Sequence, residues 1–235
     1  MTKMADSVVE YVRDAVHSGT MQPDEWYSVV QIASELGMSR SPVREGLLRL
    51  QEAGLIRFVK NRGFQIIRSG PADVAEIFAI RLGIEPAAAY RAAKFRTKED
   101  LSLIDDRVAS MERLATSGEE DEFFVHDRAL HSLILETGNA RRGEAVVDQL
   151  RNITRVLGHS TAGKSRSLSD ILNEHGPIVE AIRNGDADRA RQAMHHHLTT
   201  TGLLLLQQAW DQPTDAAVAR PEAVELFWDR HVGGL

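Results

Sequence analysis

One aspartate and three histidines stand on the apolar stripes of helix-like segments, where ionisable side chains are rare. These residues are Asp127, His131, His175 and His197. The first two are one turn apart in the stripe of residues 120–137, and the others lie in the stripes of 171–183 and 186–206. Burying four ionisable groups separately is costly, whereas gathering them on a divalent cation neutralises that cost. One carboxylate with three imidazoles and no sulfur suits Zn²⁺, Ni²⁺ or Mn²⁺.

Spacing around a turn indicates that two of these histidines lie level with each other. Gly185 is the predicted turn of an antiparallel helical hairpin, with His175 ten residues before it and His197 twelve after it. At 1.5 Å per residue both histidines lie about 15 to 18 Å from the turn. A single histidine on an apolar face is more commonly a hydrogen-bonded core residue. The residues alone therefore leave both a metal site and a set of core histidines open.

Arg81 is a further ionisable residue on an inward face, between Ile77 and Ile84. A buried guanidinium can hold a carboxylate through two parallel hydrogen bonds, so Arg81 is a candidate for binding a small carboxylate effector. A structural pair with Glu85 or another acid is an equal alternative.

Two arginines on a short helix suit a different chemistry, the reading of DNA. Arg40 and Arg44 are one turn apart on the exposed side of residues 40–52, with Ser41 on the same arc. Arginine suits the O6 and N7 acceptors of guanine in the major groove. Arg62 lies at the tip of a predicted hairpin, where it would add a contact to the DNA backbone or the minor groove. An isolated pair of arginines is usually solvated charge, but the tight turn at 36–39 favours a DNA-reading helix.

The elements that would position these arginines are three short helices and a hairpin. Apolar periodicity and capping residues predict helices over 4–18, from Ser28 to Gly37 and over 40–52, and β-branched runs predict strands over 55–59 and 63–67. This order is that of a winged helix-turn-helix, which we predict for residues 1–68.

From residue 72 onward the patterns are helical only. Helices are predicted over about 72–94, 98–116, 120–137, 141–157, 167–184 and 186–210. Residues 69–71 are a predicted linker, and 72–210 a predicted all-helical domain for metal and effector binding and for dimerisation. The tail 211–235 contains a possible short helix of unknown role. The predicted fold class is therefore mainly α, a winged helix-turn-helix followed by an all-α bundle.

Composition is compatible with this organisation. The net charge is −6, but residues 1–68 hold nine Lys and Arg against eight Asp and Glu, so their charge is nearly balanced and a local basic face can still attract phosphate. The absence of cysteine excludes disulfides and thiolate metal sites. The N-terminus has no signal-peptide core, and the longest aliphatic run, Leu203 to Leu206, is too short to cross a bilayer. We expect a cytoplasmic protein without a membrane partner.

Residues 5–68 resemble the DNA-binding domain of the GntR family. The resemblance rests on the run from Gln31 to Leu47, with the pattern L-G-x-S-R-[ST]-P-V-R-E-x-L, and on Asn61-Arg62-Gly63. By position it implies operator contacts from Ser39, Arg40, Ser41 and Arg44 of the helix and from Asn61, Arg62 and Gly63 of the wing. Val30 stands where the family often has arginine, so we expect one family contact with DNA to be missing.

Residues 72–208 resemble the ligand-binding domain of FadR-type members of that family, the FCD domain. The matching segments include Ile80-Arg81, Ile84 to Ala88, Asp127 to His131, Glu174-His175 and His197-Leu198. The resemblance implies that Asp127, His131, His175 and His197 are metal ligands, with zinc expected and nickel or manganese as alternatives. It also implies an organic-acid effector. Leu130, Gly176 and Pro177 depart from the family pattern, which predicts a changed pocket wall and a changed helix after His175.

These features together predict a homodimeric regulator that binds an operator in double-stranded DNA, represses a metabolic operon and is released by a small carboxylate. One alternative is a metal-responsive repressor, for which the cation itself is the signal. The other is a metal-dependent hydrolase-type enzyme, since such a site could activate water. We expect no enzyme, because no motif such as HExxH supplies a general base.

Overall fold

Helices make up most of the molecule, with one β-hairpin between the third and fourth helix. The computed structural model describes residues 2–52, 54–67, 70–156, 161–163, 165–210 and 221–234. Its elements are α1 (Thr2–His17), α2 (Val29–Glu35), α3 (Arg40–Glu52), β1 (Ile56–Val59), β2 (Gly63–Ile66), α4 (Pro71–Phe95), α5 (Lys98–Ser117), α6 (Glu120–Thr137), α7 (Arg141–Val156), α8 (Leu168–Asn184), α9 (Ala187–Trp210) and α10 (Pro221–His231). The predicted fold class is confirmed, and the ends of the elements differ from the prediction by only a few residues.

The chain forms two compact units. The first comprises Met1–Ser69 and Gln149–His159, and the second comprises Gly70–Asp148 and Ser160–Leu235. The sequence assigned all of 72–210 to the helical domain, whereas the structure groups the C-terminal part of α7 with the first unit.

Three helices of the first unit pack around one apolar core. The buried side chains of this core include Val8, Val12, Ile32, Val43, Leu47, Leu50, Ile56 and Phe64. The Ser28 hydroxyl caps α2 by accepting a hydrogen bond from the backbone N–H of Gln31 at 3.0 Å. Gly37 then turns the chain toward α3 with a φ of +61°, in the left-handed region that glycine adopts at little cost. The exposed face of α3 is thereby directed away from the core.

The hairpin of this unit is extended by the segment that precedes α2. Strands β1 and β2 are antiparallel, with Ile56 opposite Ile66 and Val59 opposite Gly63. Tyr27 pairs with Phe64 on the other edge of β2, where each backbone N–H donates to the other residue's carbonyl at 2.9 Å. The wing is therefore held on both sides of β2.

The second unit is a helical bundle with an unusual interior. Capping boxes start α5 and α8, where the Thr97 and Ser167 hydroxyls bind the N–H groups of Asp100 and Asp170. Helix α10 joins the bundle through Val224, Trp228 and Val232, which are buried. The buried polar or charged residues among those described are Arg81, Glu85, Asp127, His131, Thr161, His175 and His197. All seven lie in this unit, within a core that is otherwise apolar.

Two further observations bear on the sequence expectations. Helix α8 continues unbroken through Pro177, although the proline ring removes the N–H that would bind the carbonyl of Asn173. No helix within the described residues combines the length and the apolar character that spanning a bilayer requires.

Candidate nucleic-acid interface and metal centre

Helix α3 presents all four of the residues expected to read DNA. Ser39, Arg40, Ser41 and Arg44 are exposed. The opposite face of α3 is buried through Pro42, Val43, Gly46, Leu47 and Leu50. Arg49 differs, since its guanidinium binds Asp6 and Glu45, each at 2.7 Å. The helix therefore offers two arginines to a ligand and uses the third to hold α3 against α1.

The three candidate residues of the wing differ in their exposure. Asn61 and Arg62 are exposed at the tip, where Asn61 has a φ of +63°. Gly63 is half-buried, and a Cβ atom placed on it would lie 2.1 Å from the Tyr27 carbonyl oxygen. The close pairing with Tyr27 thus requires glycine at position 63 whatever the residue does toward DNA. On α2, Val30 is 51% exposed, so the position where relatives often carry arginine is at the surface here.

The three predicted metal-ligating histidines converge inside the second unit. One ligand atom of each of His131, His175 and His197 lies within 4.8 Å of the others. The Nε2 atoms of His131 and His175 are 3.2 Å apart, and Asp127 Oδ1 is 3.0 Å from His175 Nε2. Helix α6 supplies the Asp127–His131 pair, while α8 and α9 supply the other two ligands. His195 and His196 are exposed and take no part in the cluster.

Each ring of the cluster has its Nδ1 atom next to a fixed acceptor. The His175 Nδ1–H donates to the Ile171 carbonyl at 2.8 Å, the His131 Nδ1 is hydrogen-bonded to Glu85, and the His197 Nδ1 lies 3.2 Å from Glu174 Oε2. A neutral imidazole carries one proton, so a ring that donates from Nδ1 has an unprotonated Nε2. In metal sites such a partner for the second nitrogen fixes the tautomer and orients the ring.

Protonation of the rings at Nδ1 would make the lone pairs of the cluster face one another. With Nδ1 protonated, the Nε2 lone pair of His175 points toward both the Nε2 of His131 and the carboxylate of Asp127. Burial and then the nearby His175 lower the pKa of His197 to about 3, so this ring is neutral at pH 7. Acceptors that converge at these distances repel one another unless a cation or a proton lies between them. The donor set of three imidazoles and one carboxylate fits a divalent metal.

A carboxylate beside this cluster was missed by the sequence reasoning. Glu174 accepts hydrogen bonds from His197 and from Arg166, and Arg166 Nη2 also donates to the Thr161 hydroxyl at 2.6 Å. Burial by itself raises the pKa of Glu174, but the bonds from His197 and Arg166 outweigh it and lower the pKa to about 2. The signal was present, because Glu174 precedes the Gly185 turn by eleven residues and is thus level with His197.

Arg81 forms the structural pair with Glu85 that the sequence left open as an alternative to effector binding. Its Nε donates to Glu85 Oε1 at 2.6 Å, and both side chains are at least 95% buried. The other oxygen of Glu85 is hydrogen-bonded to His131, so one carboxylate links Arg81 to a histidine of the cluster. A contact between Arg81 and an effector stays a prediction.

Comparison with known proteins agrees with this division of the chain. The family of bacterial regulatory proteins named gntR matches residues 4–66, and the FCD domain family matches residues 76–200. The regulator YdhC of Bacillus subtilis (strain 168) is 26% identical over 190 residues, which cover 79% of this chain and 84% of YdhC. The transcriptional repressor RspR of Escherichia coli (strain K12) is 27% identical over 187 residues, 79% of this chain and 81% of RspR.

A solved structure shows the same fold. E. coli McbR/YncC superposes with a TM-score of 0.70 at 20% identity, covering 88% of this chain and 99% of that one. The exposed arginines of α3, the wing and the two family matches point to one class of protein. The chain belongs to the GntR family and is a DNA-binding transcriptional regulator with a C-terminal FCD domain.

Proposed function

We propose that the protein represses a metabolic operon and leaves its operator when a small organic acid binds beside a divalent metal in the FCD domain. The observation that carries this proposal is the buried convergence of Asp127, His131, His175 and His197. The name of the E. coli relative RspR, a repressor, supports repression as the direction of control.

The metal ligands would be Asp127 and the three histidines, with zinc as the expected ion and nickel or manganese as alternatives. A bound cation would supply positive charge and a coordination position that a carboxylate oxygen can occupy. The protein's own residues do the remaining work. Glu85 and Glu174 hold the rings of His131 and His197, and Arg166, whose side chain is 9% exposed, brings positive charge to the same region.

A homodimer is part of the proposal, and α4 carries a stripe that suits it. Ile80 is 44% exposed, and the exposed Gly83 and the half-buried Ala87 follow it at helical spacing. An apolar stripe with a glycine allows two helices to approach closely. Two copies joined through the helical domains would present two α3 helices to half-sites about one turn of DNA apart.

Binding of the effector would change operator affinity through differential affinity for two arrangements of the dimer. A coupling free energy of about 1–3 kcal/mol corresponds to roughly a 5- to 150-fold change in affinity. That range is enough to switch an operon.

The test uses the full-length protein and an operator selected by it from random duplexes. Metal content is measured first, and then release of a labelled operator is followed while carboxylic acids of two to six carbons are added to metal-loaded and metal-free protein. Release that requires both metal and acid supports the proposal. Release by zinc alone supports the second candidate, a metal-responsive repressor. No release under any of these conditions contradicts control by a ligand, although operator binding itself would stand.

A further inference from the structure

An exposed tryptophan lies beside the arginine at the tip of the wing. Trp26 is 40% exposed, and the Cζ atom of Arg62 lies 5.6 Å from the centre of its ring. This distance is within the range of a cation–π interaction, and tryptophan is the best aromatic partner for it.

The backbone around Trp26 is fixed relative to the wing. The next residue, Tyr27, exchanges two hydrogen bonds with Phe64 and is only 7% exposed. Gln65, the residue after Phe64, donates from its side chain to the Asp24 carbonyl at 2.8 Å. Because Tyr27 points into the core, its neighbour Trp26 is held on the outer side. The position of the ring under Arg62 is thus set by the pairing of the wing.

The way Arg62 is held leaves its hydrogen-bond donors available. A cation–π contact attracts the charge of a guanidinium to the ring without taking up its five N–H donors. An ion pair with Glu25 would instead use those donors and neutralise the charge. Glu25 is engaged elsewhere, since its carboxylate accepts the Tyr27 hydroxyl at 2.9 Å. An arginine held in this way keeps both its charge and its donors for the acceptors of a duplex.

We propose that Trp26 is a positioning residue of the DNA interface, which holds the Arg62 guanidinium near its ring so that the N–H groups of Arg62 meet acceptors of the duplex. Those acceptors are phosphate oxygens or the minor-groove edges of A·T pairs, which attract arginine for the same electrostatic reason. Trp26 adds to affinity through Arg62 and not through a base contact of its own.

The test is a double-substitution cycle in the full-length protein, with the operator selected from random duplexes as probe. Trp26→Leu removes the aromatic face but keeps an apolar side chain, and Trp26→Phe keeps a face. We expect Trp26→Leu to weaken operator binding roughly 2- to 5-fold for each wing, and roughly 4- to 25-fold when two wings are bound. Trp26→Phe should retain most of the affinity. In an Arg62→Gln background, Trp26→Leu should change affinity less than about 2-fold.

Three outcomes would overturn the proposal. These are an unchanged affinity in Trp26→Leu, an equal loss in the Arg62→Gln background, and a loss in Trp26→Phe as large as that in Trp26→Leu. Thermal unfolding of each variant separates loss of contact from loss of fold. If Trp26→Leu is unstable, Trp26→Met, which also lacks an aromatic ring, takes its place in the cycle. The salt dependence of binding and the replacement of flanking A·T pairs then separate the two sources of acceptors. Removal of a phosphate contact lowers the salt slope by about one, and removal of a groove contact abolishes an A·T preference.

Discussion

The Nε2 atoms of His131 and His175 lie 3.2 Å apart inside the FCD domain, although both rings are buried and each is anchored through its Nδ1 atom. This arrangement brings two imidazole nitrogens together with the Asp127 carboxylate. The proposed metal site and the expected zinc affinities of its variants depend on this arrangement.

Replacement of one ligand should remove the metal. We expect His175→Ala to lower the affinity for Zn²⁺ by at least about 100-fold, because the change removes a donor and leaves the cluster incomplete. His195→Ala is the matched control, since that histidine is exposed on α9 outside the cluster. Zinc content after dialysis and competition with a chelator measure the effect. Equal zinc retention by both variants would contradict the assignment of ligands.

The carboxylate behind His197 should tune metal affinity without being a ligand. Glu174→Gln removes the negative charge that fixes the His197 tautomer and that pairs with Arg166. We expect roughly a 10- to 100-fold lower zinc affinity, as is common for residues that orient ligands. Glu180→Gln, an exposed position on the same helix, is the control. The expectation is wrong if the two variants bind zinc equally well.

The metal-free protein should lose stability as the pH falls below about 6.5. In the folded state burial lowers the pKa of His197 from 6.5 to about 3, so the unfolded chain takes up a proton over this range and the folded protein does not. The stabilisation is complete above pH 6.5 and is lost as the pH falls toward 3, by roughly 1 kcal/mol per pH unit. Thermal unfolding in EDTA between pH 7.5 and 5 measures the slope. His197→Asn should flatten it, whereas His196→Asn, at an exposed histidine, should not.

Loss of one arginine on α3 should weaken specific DNA binding. Arg44 is exposed on the face that we assign to the major groove, and a bidentate contact to guanine contributes about 1–3 kcal/mol. Arg44→Ala should therefore weaken operator binding roughly 5- to 150-fold for each half-site, with little effect on random duplexes. Arg113→Ala on α5 removes the same charge from the other unit and serves as control. If Arg44→Ala bound operator and random DNA as the unchanged protein does, α3 would not be the reading helix.

A bulky charge on the apolar stripe of α4 should separate the dimer. Gly83 lies on the exposed face of this helix, and nothing lies within 4 Å of a Cβ atom placed on it. Gly83→Arg should therefore fold normally but dissociate to monomers, and operator binding should fall because two half-sites are no longer bound together. Gly176→Arg is closely matched, as Gly176 is also exposed, helical and open. Light scattering gives the mass, and a dimeric Gly83→Arg protein would place the interface elsewhere.

The amino-acid sequence by itself determined the elements and the candidate ligands. Apolar periodicity, the Ser28 cap and the Gly185 stop are local signals, so the helices and the hairpin could be predicted within a few residues. Position on a helix face also placed Asp127, His131, His175 and His197 inward, because the period of a helix decides which residues share a side.

Only the tertiary structure decided what those residues contact. Arg81 and Glu85 are one turn apart on α4, so helical periodicity allowed their ion pair, but the contact of Glu85 with His131, 46 residues away on α6, was set by the packing of the helices. The same holds for Glu174 against His197, 23 residues apart, and for Trp26 beneath Arg62, 36 residues apart. Such contacts join elements that are distant in the chain, and their geometry is set by the packing of whole helices and strands.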